Sequence, residues 1–167
     1  ETVSFPVNTD GILQAAHAYA NDGTYTVTVR VTDDDGQPSA GTFLVTVNNL
    51  PPTAVIQGSD DQTPAPTAAV EGELIHLTGI VSDPGGDTIP FYAWTVTKNG
   101  QPFDAFEETL ADPATAPWSV PFSFTPDDEG TYVVTLTARD NAGAETAVPA
   151  QVTIQVTNGN PVAAILN

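Results

Sequence analysis

Six residues of this sequence offer the oxygen atoms that a hard cation takes. Ser82-Asp83-Pro84-Gly85-Gly86-Asp87 is a turn-forming run with two carboxylates four residues apart. Gly85 and Gly86 let that run fold back, so that Asp83 and Asp87 can face one point. Asp140 and Asn141 close a strand-like segment further along, and Asn48-Asn49 stand in a Pro-bearing connection. Calcium takes about six to eight oxygens, drawn from carboxylates, amide carbonyls and backbone carbonyls. Asp83, Asp87, Asp140, Asn141, Asn48 and Asn49 supply those atom types. The same residues have a plainer use, because Asp and Asn cap turns with their own side chains. The two readings stand side by side at this level.

A second chemistry would rest on rings. Tyr92, Phe103, Phe106 and Trp118 flank a long, Pro-containing segment, 103–118, read as a loop. Long loops carry function more often than short ones. Tyr92 and Trp118 are therefore candidate ligand-binding residues for a sugar, against the alternative that these rings close one end of a core. Trp94 sits inside a strand-like run and is read as core. Asp33-Asp34-Asp35, Asp60-Asp61 and Asp127-Asp128-Glu129 are read as solvated turn and loop acids. His17 and His76 are given structural or solvent-facing roles. Nothing assembles into catalytic machinery: the nucleophile-elbow, zinc-protease and phosphate-loop patterns are all missing. The expectation is a protein that is not an enzyme.

The charge balance narrows the partners. Twenty-one acidic residues face three basic ones, for a formal net charge of −18. Nucleic acid is excluded as a partner, since its phosphates must be neutralised by Lys and Arg. An anionic membrane surface is excluded on the same ground. Acidity of this degree keeps a chain soluble through self-repulsion and suits divalent cations. The sequence has no Cys, which rules out disulfides and thiolate sites. No apolar run reaches the length of a membrane span, and residues 1–20 do not read as a signal peptide.

An internal repeat organises the chain. GTYTVTVRVTDDDG (23–36) returns as GTYVVTLTARDNAG (130–143) after 107 residues. TFLVTVNNLPPTAVI (42–56) returns as QVTIQVTNGNPVAAI (151–165), with Pro161 following Pro52 by 109. A period of this size is that of one β-sandwich domain. The Pro-bearing segments read as first strands, which sets the phase. Residues 1–49 are expected to be the C-terminal half of one domain, 50–158 a complete domain, and 159–167 the first strand of a following repeat.

The elements that must hold the acids in place are strands. Tyr25, Val27, Val29 and Val31 alternate with polar residues, as do Tyr132, Val134, Leu136 and Ala138. Residues 43–47, 152–156, 74–81, 91–97 and 119–124 read the same way. Asn99-Gly100 marks a tight hairpin turn. No sustained helical period appears, so the class is all-β. Asp22-Gly23-Thr24-Tyr25 and Asp128-Glu129-Gly130-Thr131-Tyr132 look like the corner at which a Tyr hydroxyl bonds back to the backbone before the penultimate strand of an immunoglobulin-like sandwich. In such a sandwich the end of that strand, the loop after the second strand and the incoming connection share one pole. Asp140, Asp83 with Asp87, and Asn48-Asn49 would then converge.

HAYANDGTYTVTVRVTDDDG (17–36), TPDDEGTYVVTLTARDNAG (125–143), VSDPGGD (81–87) and NNLPPTAVI (48–56) resemble PKD repeats, the immunoglobulin-fold repeats of bacterial extracellular proteins. The family's W-x-F/W-G-D-G segment is absent; Trp94-Thr95-Val96-Thr97-Lys98-Asn99-Gly100 stands in its place. The resemblance covers essentially the whole chain. It implies tandem immunoglobulin-like sandwiches in a secreted or cell-surface protein, with calcium held at positions like those above. The expected role is a structural or adhesive repeat whose joints calcium stiffens. Its partners would be neighbouring repeats of the same chain, and further other copies of the protein or a cell-surface polysaccharide. A carbohydrate- or protein-binding accessory module, or a self-assembling fibre subunit, is the alternative.

Overall fold

Alternating Thr, Val and aromatic residues favour pleated, half-buried strands, and strands are what form. The structure, a computed structural model, describes residues 15–59, 64–115 and 117–160, with side chains described except at 111–115. These residues divide between Val47 and Asn48 into two compact units. No helix occurs among them.

In the first unit β1 (Gly23–Thr32) pairs antiparallel with β2 (Pro38–Val47). Tyr25 packs on Tyr19 with ring centroids 4.4 Å apart, and Tyr19 meets His17 edge-on at 4.6 Å. His17 thus takes a place in an aromatic stack. The face shared by Val29 and Val31 is exposed at 36% and 48%. Among the described residues of this unit, β1 and β2 form a two-stranded ribbon without a second sheet facing it.

The second unit contains β3 (Thr53–Gln57), β4 (Ala68–Val70), β5 (Ile75–Ser82), β6 (Thr88–Lys98), β7 (Gln101–Thr115), β8 (Trp118–Phe124), β9 (Gly130–Arg139) and β10 (Ala150–Thr157). One sheet has the order β4-β10-β9-β6-β7 and the other β3-β5-β8. Every pair is antiparallel except β4 with β10. Apolar residues from both sheets meet in one core. Leu77, Val81, Val120 and Phe124 come from the smaller sheet, and Trp94, Val96, Tyr132, Val134, Leu136 and Ile154 from the larger. Trp94 is fully buried and stacks on Phe122 at 5.0 Å. Gly79 lies beneath its ring. A Cβ there would collide with Leu136 and come within 2.7 Å of Val120 Cγ2 and 2.8 Å of Trp94 Cζ2.

Two corners brace the penultimate strands. Tyr25 donates its hydroxyl to Asn21 O at 2.8 Å and to Asp22 O at 3.3 Å. Tyr132 donates to Asp128 O at 2.9 Å or Asp127 Oδ1 at 2.8 Å. Lys98 Nζ reaches the same Asp127 oxygen at 2.6 Å. The Lys98 ammonium first, and then the Tyr132 hydroxyl, hold the Asp127 carboxyl below its ordinary range. A depressed carboxyl adds stability above its unfolded pKa and loses it as pH falls through the folded one. Tyr132→Phe removes these bonds and keeps the ring. It is expected to cost about 1 kcal/mol, read as a lower urea midpoint with unchanged slope. A midpoint equal to that of the wild type would deny the corner a stabilising role.

The segment 103–118, read from sequence as a loop, is mostly the strand β7. The Asn99-Gly100 turn, with Asn99 at φ 50°, folds it back onto β6. Tyr92 is 4% exposed. Its ring is shared between Phe106 at 6.0 Å and Trp118 at 5.4 Å, and its hydroxyl donates to Glu108. Burial first, and then the Glu108 carboxylate, push the pKa of that hydroxyl up. Phe103 turns edge-on to Tyr132 at 5.1 Å, inside the core. Tyr92 is therefore a packing residue with no open face for a sugar, and half-buried Trp118 covers it. Tyr92, Phe103 and Trp118 pack against the core, the plainer of the two readings, while Phe106 is exposed at 43%.

Candidate metal centre

The acidic pole is built from turns. In Asp83-Pro84-Gly85-Gly86-Asp87 the chain reverses with Gly86 at φ 76°, and Gly86 N donates to Asp83 O at 3.3 Å. Asp83 Oδ1 accepts from Gly85 N at 2.8 Å and Asp87 N at 3.1 Å. After β9, Asp140 N donates to Ala144 O at 3.0 Å, Gly143 N to Asp140 O at 3.2 Å, and Ala144 N to Asp140 Oδ1 at 2.8 Å. Both aspartates thus spend one oxygen on closing their own loop, which is the turn-capping use foreseen for them.

The three carboxylates also converge. Asp83, Asp87 and Asp140 each bring a carboxylate oxygen within 4.8 Å of the other two. Asp87 is 3% exposed and Asp140 1%. Asn49 Nδ2 donates to Asp140 Oδ2 at 2.8 Å, so the connecting segment before β3 joins the cluster. Asp83 Oδ2 and Asn49 Oδ1 are buried and accept no hydrogen bond among the described residues. Buried acceptors without donors are costly, and buried charges need a partner or a metal. The two bases of the second unit are engaged by other groups: Lys98 is held by Asp127, and Arg139 lies 4.8 Å over the Phe91 ring.

Of the six residues singled out from sequence, four meet here: Asn49, Asp83, Asp87 and Asp140. Asn141 turns elsewhere. Its Oδ1 accepts from Thr88 N at 3.0 Å and its own N donates to Thr88 O at 3.1 Å, which fixes the start of β6 next to Asp87. Asn48 is exposed. A second group, Glu71, Asp128 and Glu129, has carboxylate oxygens within 4.8 Å of one another, two of the residues being exposed. The wide spacing of Glu71 from Asp128-Glu129 in the chain hides that proximity from a sequence reading. Asp60 and Asp61 lie outside the described residues. His76 is exposed on β5.

The first unit repeats the Asp140 turn. Asp33 N donates to Gln37 O at 3.1 Å, Gly36 N to Asp33 O at 3.1 Å, and Gln37 N to Asp33 Oδ1 at 2.6 Å. Gly36 and Gly143 both take positive φ, 83° and 91°. The sequence repeat is thus a repeat of hydrogen bonds.

An all-β sandwich with a tyrosine corner and an acidic pole after its penultimate strand defines an immunoglobulin-like repeat module. The PKD domain family pattern matches residues 61–156, and a second PKD domain pattern matches residues 8–47. The chain belongs to the PKD domain family. Among solved structures, the PKD domain of an M14-like peptidase from Thermoplasmatales archaeon SCGC AB-540-F20 is similar at 28% identity, covering 65% of this chain and 98% of that one, with a TM-score of 0.48. Fibronectin(III)-like modules of Clostridium thermocellum CbhA are similar at 19% identity over 87% of this chain and 68% of theirs, TM-score 0.47. A CARDB domain from Pyrococcus furiosus, in complex with di-metal ions, is similar at 21% identity over 67% of this chain and 97% of its own, TM-score 0.47. No protein with a curated description matches. PKD domains are generally non-catalytic modules and usually occur in extracellular proteins. Among the described residues no helix is long and apolar enough to cross a membrane.

Proposed function

We propose that the second unit is a non-catalytic, calcium-binding repeat module of a secreted or cell-surface protein. The observation that supports this most is the pair of buried, unpartnered acceptors, Asp83 Oδ2 and Asn49 Oδ1, beside two nearly inaccessible carboxylates. The donor set is all oxygen, which suits a hard cation and no thiol- or imidazole-seeking metal. Asp83, Asp87 and Asp140 would hold the ion through carboxylate oxygens and Asn49 through its amide oxygen. The ion would supply positive charge among these carboxylates.

Because Asn49 belongs to the segment that leads into β3, cation binding would hold that segment against the unit. Calcium then stiffens the chain where it enters the module, and the module serves as a structural or adhesive element among neighbouring repeats. Residues 50–158 are the complete sandwich of this reading. Isothermal titration of the chelated chain with calcium is expected to show one saturable site in the second unit, absent in Asp140→Ala. Absence of heat in the wild type, or equal heat in the variant, would remove the assignment.

A further inference from the structure

The sequence has two Asn-Gly pairs, Asn99-Gly100 and Asn158-Gly159. Such a pair is the place where a chain most readily reacts with itself. The glycine nitrogen can reach the asparagine Cγ, and no side chain on glycine hinders the approach. The two pairs stand in opposite circumstances here.

Asn99 is anchored. Its backbone N donates to Thr131 O at 2.8 Å, and its Oδ1 accepts from Thr131 N at 3.0 Å. The carboxamide that would be attacked is pinned across to the start of β9. Asn158 directly follows β10 and is exposed. Its neighbour Gly159 is half-buried and donates its N–H to Glu71 Oε1 at 3.0 Å. Glu71 is itself placed by its backbone, whose N donates to Thr157 O at 3.0 Å. The proton that must leave the attacking nitrogen already points at a carboxylate oxygen within the reach required of a general base.

We propose that Asn158 is a site of self-deamidation in which Glu71 is the base. The Gly159 N–H proton passes to Glu71 Oε1 as the bond from Gly159 N to Asn158 Cγ forms. The Cγ–Nδ2 bond then breaks, and Glu71 returns the proton to the departing nitrogen, which leaves as ammonia. Solvent water opens the resulting cyclic imide at either carbonyl. The products are aspartate or isoaspartate at position 158, and Glu71 is regenerated. Either product adds a negative charge immediately after β10. Isoaspartate also lengthens the backbone there by one carbon.

The test incubates the full chain in warm neutral buffer and follows both pairs by peptide mass mapping. Asn158 is expected to convert while Asn99 persists, and Glu71→Gln is expected to slow conversion at 158 several-fold. Persistence of Asn99 in the variant doubles as a check that it remains folded. A synthetic peptide of residues 153–160, which lacks Glu71, provides a comparison that does not depend on any variant folding. The folded wild type must convert faster than that peptide. Conversion as slow as the peptide's or slower, or a Glu71→Gln rate equal to or above the wild type's, would show that Glu71 restrains the segment and would overturn the proposal.

Discussion

Trp94→Ala is expected to destabilise the second unit by about 3–5 kcal/mol, the usual cost of removing a large buried aromatic. The ring is fully buried, stacks on Phe122 at 5.0 Å and lies against Gly79, whose missing side chain makes room for it. Neighbours that close around a ring in this way have little freedom to collapse into the space it leaves, so the cavity term is large. At roughly 4–8 °C per kcal/mol for a domain of this size, the melting temperature falls by tens of degrees. Trp94 Nε1 adds a refinement. It is buried and has no hydrogen-bond acceptor among the described residues, and an orphaned donor costs about 1–3 kcal/mol. Trp94→Phe removes that donor together with part of the ring, so its cost is expected to be well below that of alanine. Urea unfolding followed by circular dichroism measures both. A loss under about 1 kcal/mol for alanine would mean that the core packs without the indole.

The second large effect concerns the acidic pole and changes sign with conditions. For the chelated wild type, calcium at a hundred times its dissociation constant is expected to stabilise the unit by about 2.7 kcal/mol, or roughly 10–20 °C. Asp83→Asn is the informative variant. An asparagine can still accept from Gly85 N and Asp87 N through its oxygen, so the turn stays closed. Its new amide group would stand at the buried position of Asp83 Oδ2, in the cluster shared with Asp87 and Asp140. Without calcium, one of three crowded negative charges is gone and a donor has arrived, so the variant is expected to melt several degrees above the wild type. With calcium, the order reverses, because only the wild type responds. If Asp83 were a turn cap alone, the two proteins would melt together in both buffers. Differential scanning calorimetry with and without chelator separates these outcomes.

The parts legible in the sequence are those in which local chemistry and packing agree. Strands β9 and β10 alternate between the core and water, and the same alternation is written twice in the chain. Trp94 and the two tyrosine corners follow from that frame. Asp83, Asp87 and Asp140 were legible because each opens or closes a glycine-bearing turn, and turns are specified within a few residues. Strand β7 was not. It is an edge strand, with Asp104, Phe106 and Glu108 placed opposite the buried Val96, Trp94 and Tyr92. Acids placed opposite core positions on an edge strand break the apolar alternation that a strand reading depends on, while guarding the edge against pairing. Strand β4, three residues long, has no period to read. Its position is decided by parallel pairing with β10, far along the chain. The burial of Tyr92 was hidden for a related reason. Composition shows that rings lie near one another, but only the fold shows which way they face. At the pole, the linker asparagines were visible, yet which of them reaches Asp140 depends on how the chain turns before the buried Pro52.

The parallel pairing of β4 with β10 bears on how the module would respond to a mechanical load. Strand β3 starts at the pole of the aspartates, opposite Ser82, whereas β10 ends opposite Gly130 at the far pole. A pull applied to the two ends of the unit therefore runs along the strands. The early strand β4 is dragged one way and the late strand β10 the other. Gln155 with Ala68, Val156 with Ala69 and Thr157 with Val70 would be sheared together and not peeled apart in turn. Bonds loaded at once fail at a higher force than bonds loaded singly. Resistance to stretching is governed by the unfolding rate and not by equilibrium stability. Under tension, a strand of three residues would then act as the latch of the module.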